Sequence, residues 1–351
     1  MTATLEASRT GSSPIVVGII IVTYKSAPLA VDCLQSIATE RVHCAPGIQI
    51  KVVIVDNASG DTALIAEAIR TNSWSSWASV IAAPRNGGFA YGNNLGYRHM
   101  RQQLLPDYLY LLNPDTILRP GSITALVQFL ESNPGVGIAG SSFEHPDGTP
   151  WPFAFRFPSI LSEVAAGLQF GLVTRLLRRS VIAVDMGSAQ QAIDWVSGAS
   201  MMVRRTVFDA LGGLDENFFL YFEETDFCLR AKKMGFATWY VPESRVMHIA
   251  GQSTKVTERD QPLKRLPGYW FESRRWYFIA NHGLGYAIAV DAAAILAFGL
   301  GFLRLAVQRR RDRHIPGYVR DLIRYSALWP RVSRKEHRRR HLRLVAPPLN
   351  S

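Results

Sequence analysis

Cysteine is scarce: Cys33, Cys44 and Cys228 are the whole complement of 351 residues. An odd count without metal-ligand spacing excludes a disulfide framework and a cysteine metal site. It is what reduced thiols in a cytosolic compartment look like. No Gly-Lys-Ser/Thr occurs, which excludes a Walker loop. No secretory signal opens the chain; residues 1–14 are polar and Ser/Thr/Ala-rich and are expected to form a loose tail. No internal repeat is present. Most of the chain also lacks net charge. Of 39 Lys/Arg and 28 Asp/Glu, 14 and 3 fall between residues 304 and 343, leaving 25 of each elsewhere. The net +11 therefore belongs to one segment. A balanced body argues against a nucleic-acid partner, and a basic segment behind an apolar stretch points to an anionic membrane surface.

Nearly half the chain is hydrophobic, ample for one large core or two smaller ones. Residues 16–23 form a continuous β-branched run, as expected of a strand buried on both faces of a parallel sheet. Ser26 is placed to cap a helix carrying Leu29, Ala30, Leu34 and Ile37 on one face. A second strand is predicted over 50–55, a helix over 62–71 and a short strand over 79–83. Residues 85–94 read as a polar Gly-rich loop, followed by a helix over 95–105 and a fourth strand over 108–112. Further strands are predicted over 136–141, 195–203 and 237–241, with a helix over 225–234. Strands alternating with helices mean a Rossmann-like α/β sheet. Residues 148–184, rich in Pro and Phe, read as an acceptor-side insertion or lid. Residues 284–303 are the longest apolar stretch, interrupted by Asp291. Trp270, Trp276, Tyr277 and Tyr286 stand at its start and arginines after it, a membrane-interface pattern. Its glycines and Asp291 favour lying on a bilayer over spanning it.

The chemistry-bearing residues stand where strands end. Thr23-Tyr24 closes the first strand, where a base or ribose sits in α/β nucleotide sites, or is an ordinary strand end. Asp56-Asn57 closes the second; Asp56 suits a base N–H or ribose hydroxyl, and equally a helix cap. Arg85, Asn86, Gly88 and Asn93 lie in the Gly-rich loop, which lacks G-x-G-x-x-G spacing. Glycine there lets backbone approach a ligand, and the amides can bond a base or sugar. Asn113-Pro114-Asp115 follows the fourth strand. Its carboxylate suits Mg²⁺ or Mn²⁺ on a diphosphate, and the same tripeptide suits a type I turn. Glu223, Glu224 and Asp226 open a helix. They are either favourable helix-terminus charge or crowded carboxylates with raised pKa, fit for a general base. His248 could complete an oxygen-rich metal site with Asp115, or be structural.

Six segments in order carry a resemblance. They are I-I-I-V-T-Y-K-S at 19–26, V-I-V-D-N-A-S-G-D at 53–61 and R-N-G-G-F-A-Y-G-N-N at 85–94. After them come L-L-N-P-D at 111–115, W-V-S-G-A-S-M-M-V-R-R at 195–205, and G-G-L-D-E-N-F-F-L-Y-F-E-E-T-D-F-C-L-R at 212–230. Together with His248 they span about two thirds of the chain. This set resembles the family 2 glycosyltransferases of GT-A fold, in their rhamnosyltransferase-like branch. The resemblance implies a GT-A nucleotide-diphospho-sugar transferase domain over 15–262, and the apolar stretch and basic tail behind it mark 263–351 as a helical, membrane-associating extension.

It implies inverting transfer by single displacement, with a divalent cation as cofactor. Thr23, Tyr24, Asp56, Asn57, Asn86 and Asn93 would hold the nucleotide sugar, with Arg85, Gly88 and Asn113 beside them. Asp115 and His248 would hold the metal. Glu224 stands at the position of the catalytic base, where Asp is usual; Glu223 or Asp226 could share that role. Trp195 and Gly198 would line the acceptor side. Asn113 replaces the first Asp of the usual Asp-x-Asp and leaves the metal site one charge short.

The expected donor is a deoxysugar nucleotide such as dTDP-L-rhamnose. The expected acceptor is a lipid-linked saccharide on the cytoplasmic face of the cell membrane, in surface-polysaccharide synthesis. Another sugar from a UDP- or GDP-donor is the alternative. A nucleotidyltransferase should carry a basic Gly-rich loop after the first strand, where this chain has Thr23-Tyr24-Lys25-Ser26. A catalytically dead binding module should lack Asp115, Glu224 or His248. Nucleic-acid binding rests on tail charge alone, and no such partner is expected.

Overall fold

The computed structural model describes residues 13–151, 153–168, 170–249, 264–308 and 315–329. The expected N-terminal tail up to residue 12 and most of the arginine-rich C-terminal segment lie outside them. The body begins with β1 (Ile15–Thr23), α1 (Ala27–His43), β2 (Ile48–Asp56), α2 (Thr62–Thr71) and β3 (Ala78–Ala82). Next come α3 (Gly88–Arg101), β4 (Tyr108–Leu112), β5 (Thr116–Leu118), α4 (Ser122–Ser132) and β6 (Val136–Glu144). The 148–184 insertion breaks into β7 (Pro150–Trp151), β8 (Phe153–Phe155), α5 (Ile160–Leu168), α6 (Gly171–Leu176), a single 3₁₀ turn at Arg178–Ser180, and β9 (Ala183–Asp185). The body closes with β10 (Gln191–Ile193), β11 (Ser200–Arg204), α7 (Arg205–Ala210), α8 (Glu223–Lys233) and β12 (Ala237–His248). Three helices follow: α9 (Gly268–His282), α10 (Leu284–Val307) and α11 (Tyr318–Arg324).

The sheet runs β10-β12-β6-β11-β4-β1-β2-β3. Strands β1 to β4 are parallel, while β11 runs antiparallel between β4 and β6. Pleating sends Ile19 and Ile21 to one face with α1 and α4, and Ile20 to the other with α3 and α8. This two-faced burial explains the continuous β-branched runs. Order reverses at β1, whose neighbours β2 and β4 lead to opposite edges. Such a switch point opens a crevice at the carboxyl ends of the strands.

Several boundaries differ from the sequence reading. α3 begins at Gly88 inside the expected loop and ends at Arg101, before the expected 105. Its glycines are there for contact: a Cβ on Gly92 would stand 2.6 Å from Val22, and one on Gly96 2.7 Å from Ile20. β11 starts at Ser200, not 195, because residues 196–199 turn along the crevice. β12 runs on to His248. Ser26 does not cap α1 with its side chain. Asp61 Oδ2 accepts the Ser26 and Ala27 N–H groups instead, at 2.9 and 3.2 Å. A G-x-G-x-x-G spacing does occur, from Gly135 to Gly140. It runs into β6, where Gly137 and Gly140 make room for Phe236 and Val196, and is no phosphate loop.

The C-terminal helices share a core with the body. Trp276, Tyr277, Phe278 and Ile279 of α9 cluster with Phe218, Leu229 and, from α10, Ala287 and Val290. α10 is long and apolar enough to cross a membrane by length and composition, yet a third of its apolar window is buried within the fold. Asp291, the interruption, faces inward and pairs with Arg274, which also holds Glu163 at 3.1 Å. Where α10 crosses α5 the backbones nearly touch: a Cβ on Gly301 would stand 2.1 Å from the Gly167 carbonyl.

Candidate active site

A cleft of about 580 Å³ opens at the switch point. Its floor is strand ends: Thr23-Tyr24 after β1, Asn57 after β2, and Asn113-Pro114-Asp115 after β4. Thr23 Oγ1 and Ser26 Oγ bond at 2.7 Å, tying the β1 turn. The Asn57 amide stitches the next turn. Its Nδ2 donates to Asn86 Oδ1 (3.0 Å) and the Gly88 carbonyl (3.1 Å), and its Oδ1 accepts Gly87 N–H (3.2 Å). Gly88 is required there. Its φ is +85°, and a Cβ would lie 1.8 Å from the Phe219 carbonyl, which accepts the Phe89 N–H at 2.9 Å. That contact locks the 86–89 turn to the loop leading into α8.

The β5–β12 ladder assembles a second pair. It sets Thr116 opposite His248, and Ile249 N–H donates to the Asp115 carbonyl at 3.1 Å. His248 Nε2 thereby comes 3.4 Å from Asp115 Oδ1, both facing the cleft. Among the described residues no group of three or more His, Cys, Asp or Glu is placed to hold a metal ion. One carboxylate and one imidazole fit a cation that takes its remaining ligands from a diphosphate and water.

Glu223 and Glu224 open α8 and also line the cleft. The two residues before them, Tyr221 and Phe222, are left-handed at φ 71° and 69°. Consecutive non-glycine residues there cost on the order of 1–3 kcal/mol each and persist only where surroundings impose them. Oε2 of each glutamate is buried without a hydrogen-bond partner. Burial pushes the Glu223 carboxyl well above its ordinary pKa, and the charge of Glu224 pushes it further. Burial raises Glu224 too, partly offset by N–H groups of Glu224, Gly198 and Thr225. A Cβ on Gly198 would meet the Phe89 ring at 3.2 Å, so this residue too sits tightly against the cleft.

Of the residues expected at the site, Thr23, Tyr24, Asn57, Asn86, Gly88, Asn113, Asp115, Gly198, Glu223, Glu224 and His248 meet in this cleft. Five do not line it. Asp56 is a helix cap: Oδ1 accepts Ser59 N–H and Oγ, and Oδ2 accepts Thr62 N–H and Oγ1, at 2.6–2.9 Å. Arg85 lies over the Tyr91 ring. Asn93 is buried within α3 and donates to the Phe89 carbonyl at 2.9 Å. Trp195 stacks on Phe155 at 4.1 Å and donates to the Arg156 carbonyl. Asp226 is fully buried, paired with Arg230 Nε at 2.8 Å and Asn281 Nδ2 at 2.7 Å. Phe89, Trp151, Phe219, Tyr221 and Tyr269 line the cleft without having been singled out as site residues. Trp151 comes from the insertion, and stacking against His145 and His248 brings it in. Tyr269 comes from α9 and packs on Phe219 and Tyr221.

Comparison with known proteins agrees with this fold. The family described as glycosyltransferase-like family 2 matches residues 14–278. The N-acetylglucosaminyl-diphospho-decaprenol L-rhamnosyltransferase of Mycobacterium tuberculosis is 28% identical over 254 residues, 68% of this chain and 78% of that protein. Rhamnosyltransferase WbbL of Escherichia coli K12 is 26% identical over 46% of this chain and 61% of its own length. Among solved structures, the mannosyltransferase PcManGT of Pyrobaculum calidifontis, in complex with GDP-Man and Mn²⁺, superposes with a TM-score of 0.50. It is 15% identical, over 95% of this chain and 86% of that one. At that identity the likeness concerns the fold, a mixed α/β sheet of GT-A type.

Proposed function

This chain belongs to the family 2 glycosyltransferases, and from that premise we propose that it moves L-rhamnose from dTDP-L-rhamnose to a lipid-linked saccharide, with inversion. It is a transferase that uses a nucleotide sugar. The named donor and acceptor are supported by the rhamnosyltransferase relatives, one of which by its name acts on a decaprenol-linked diphosphate. One observation carries the reading: a single cleft holds Asp115 and His248, 3.4 Å apart, together with Glu223 and Glu224, which meet no cation among the described residues.

Glu224 is the proposed base. Its carboxylate takes the proton of the acceptor hydroxyl, whose oxygen attacks the anomeric carbon. The bond from that carbon to the diphosphate breaks, and nucleoside diphosphate leaves. A pKa raised by burial suits a base working near neutral pH. A divalent cation held by Asp115 and His248 would neutralise the departing diphosphate. Thr23, Tyr24 and the turn shaped by Asn57, Asn86 and Gly88 hold the nucleotide; Asn113 lies beside it. Gly198, Trp151 and Tyr269 line the remaining wall, where the acceptor enters. A lipid-linked acceptor places the enzyme at the cytoplasmic face of the cell membrane.

The test is turnover with a panel of dTDP-, UDP- and GDP-sugars, with Mg²⁺, Mn²⁺ or EDTA, on a synthetic polyprenyl-diphosphate saccharide. Metal-dependent release of dTDP from dTDP-L-rhamnose is the expected result. Turnover of a UDP- or GDP-sugar alone replaces the donor assignment, and turnover unaffected by EDTA removes the metal from the mechanism.

A further inference from the structure

Two apolar surfaces outside the cleft stand largely uncovered among the described residues. One is the outer face of the C-terminal half of α10, where Leu296, Leu300, Leu303 and Val307 recur at helical spacing; Leu296 is 66% and Val307 77% exposed. The other is on the insertion, where Phe170, Leu172 and Leu176 (74% exposed) flank or lie on α6. They are neighbours. Gly301 meets the Gly167 backbone just ahead of α6, and the Arg304 guanidinium lies 5.4 Å over the Phe170 ring. Exposed Arg175, Arg178 and Arg179 stand beside the leucines.

We propose that α6 and the outer face of α10 form one composite surface that dips into the headgroup region of an anionic phospholipid bilayer. α10 then lies along the membrane and does not cross it. The proposal rests on the membrane-face reading of the function and goes beyond it, because half of the surface belongs to the catalytic body. The inner face of α10 excludes a crossing. Asp291 there is buried against Arg274 and also accepts the Ala327 N–H at 2.6 Å, so insertion would strip both contacts. Charge selects the occupant. The segment 330–351 carries seven Lys/Arg and one Glu, so the arginines by α6 repel it. A two-fold partner copy would bring those arginines against their own images. Anionic lipid instead satisfies both parts, leucines in the acyl boundary and guanidinium groups on phosphate.

The experiment is sedimentation of the full chain with vesicles of phosphatidylcholine alone or with phosphatidylglycerol added, followed by carbonate extraction, with binding of dTDP as the control for folding. Leu172→Glu/Leu176→Glu and Leu296→Glu/Leu300→Glu should each weaken vesicle binding more than tenfold with dTDP binding unchanged. Arg175→Gln/Arg178→Gln/Arg179→Gln, all surface changes, should weaken it by about a hundredfold, at roughly fivefold per charge, and only on anionic vesicles. Carbonate should release the wild-type chain. Wild-type binding by the α6 or arginine variants overturns the composite surface. Resistance to carbonate overturns the surface-lying orientation. A dimer converted to monomer by the leucine variants, with vesicle binding intact, assigns the face to a second copy instead. A donor other than dTDP-L-rhamnose would overturn the proposed reaction; that donor's nucleotide would then serve as the folding control, and the vesicle outcomes would stand.

Discussion

Two of the carboxylate pairs in this molecule's interior are treated in opposite ways. Glu163 and Asp291 surround Arg274, itself only 2% exposed, and Asp291 also takes a backbone N–H. Burial alone would push the Arg274 pKa down; the two carboxylates more than offset this and keep it charged. Glu223 is as deeply placed and Glu224 is half-buried, but among the described residues no ion pair reaches them, and each keeps one buried oxygen without a partner. The first set is closed and holds α5, α9 and α10 together. The second is open toward the cleft and is held against its own solvation preference by two left-handed residues and a helix start. Compensated burial is architecture; uncompensated burial in a cleft is the mark of a group kept reactive.

Removing a charge from each set should separate them. Glu224→Gln should lower transfer about a thousandfold, within the usual range for a general base, while dTDP binding by calorimetry stays within twofold. Retained turnover would move the base role to Glu223. Arg274→Met leaves two carboxylates buried without a counter-charge and should cost about 3–5 kcal/mol, read as a lowered Tm. Adding Glu163→Gln and Asp291→Asn should restore most of the loss, because an apolar or neutral trio replaces a buried ionic one at little cost.

The pH dependence should divide the same way. The Glu223 and Glu224 pKa values are raised in the folded state, so the pair costs nothing in acid and destabilises as pH rises through the raised range. Tm should therefore fall between mildly acidic and neutral pH, and the base form needed for transfer should be lost on acidification above the ordinary Glu range. The smallest effect expected is on stability in Glu223→Gln. Its Tm at neutral pH should rise by a few degrees and its slope with pH should flatten, while transfer drops. An unchanged slope would mean that Glu223 does not share the cleft's charge with Glu224.

The sequence showed strands through continuous apolar runs and the site through polar residues at strand ends. Asn113-Pro114-Asp115 and Glu223-Glu224 needed nothing more, since both stand where a strand or loop meets the cleft. What failed was direction. Asp226 lies two residues past Glu224, about 200° round the helix, and points to Arg230. Asn93 and the glycines around it have poor helix propensity and read as loop, yet burial against β1 makes them helix. Asp56 offered two readings from its spacing to Ser59, and the cap is the one realised. Trp151 and Tyr269 carry no local signal at all. Only the insertion and α9, folding back from distant parts of the chain, bring them to the cleft.

That return of α9 has a consequence for the chain's birth. Asp115 leaves the ribosome 133 residues before His248 and 154 before Tyr269. At ordinary elongation rates the first half of the sheet waits roughly 8–30 s for the strand and helix that finish the pocket. For the first part of that interval β4 lacks β11, and β6, once made, lacks both β11 and β12. A ribosome that terminates before α9 therefore leaves a product with its strand-end floor in place and the cleft wall without Tyr269.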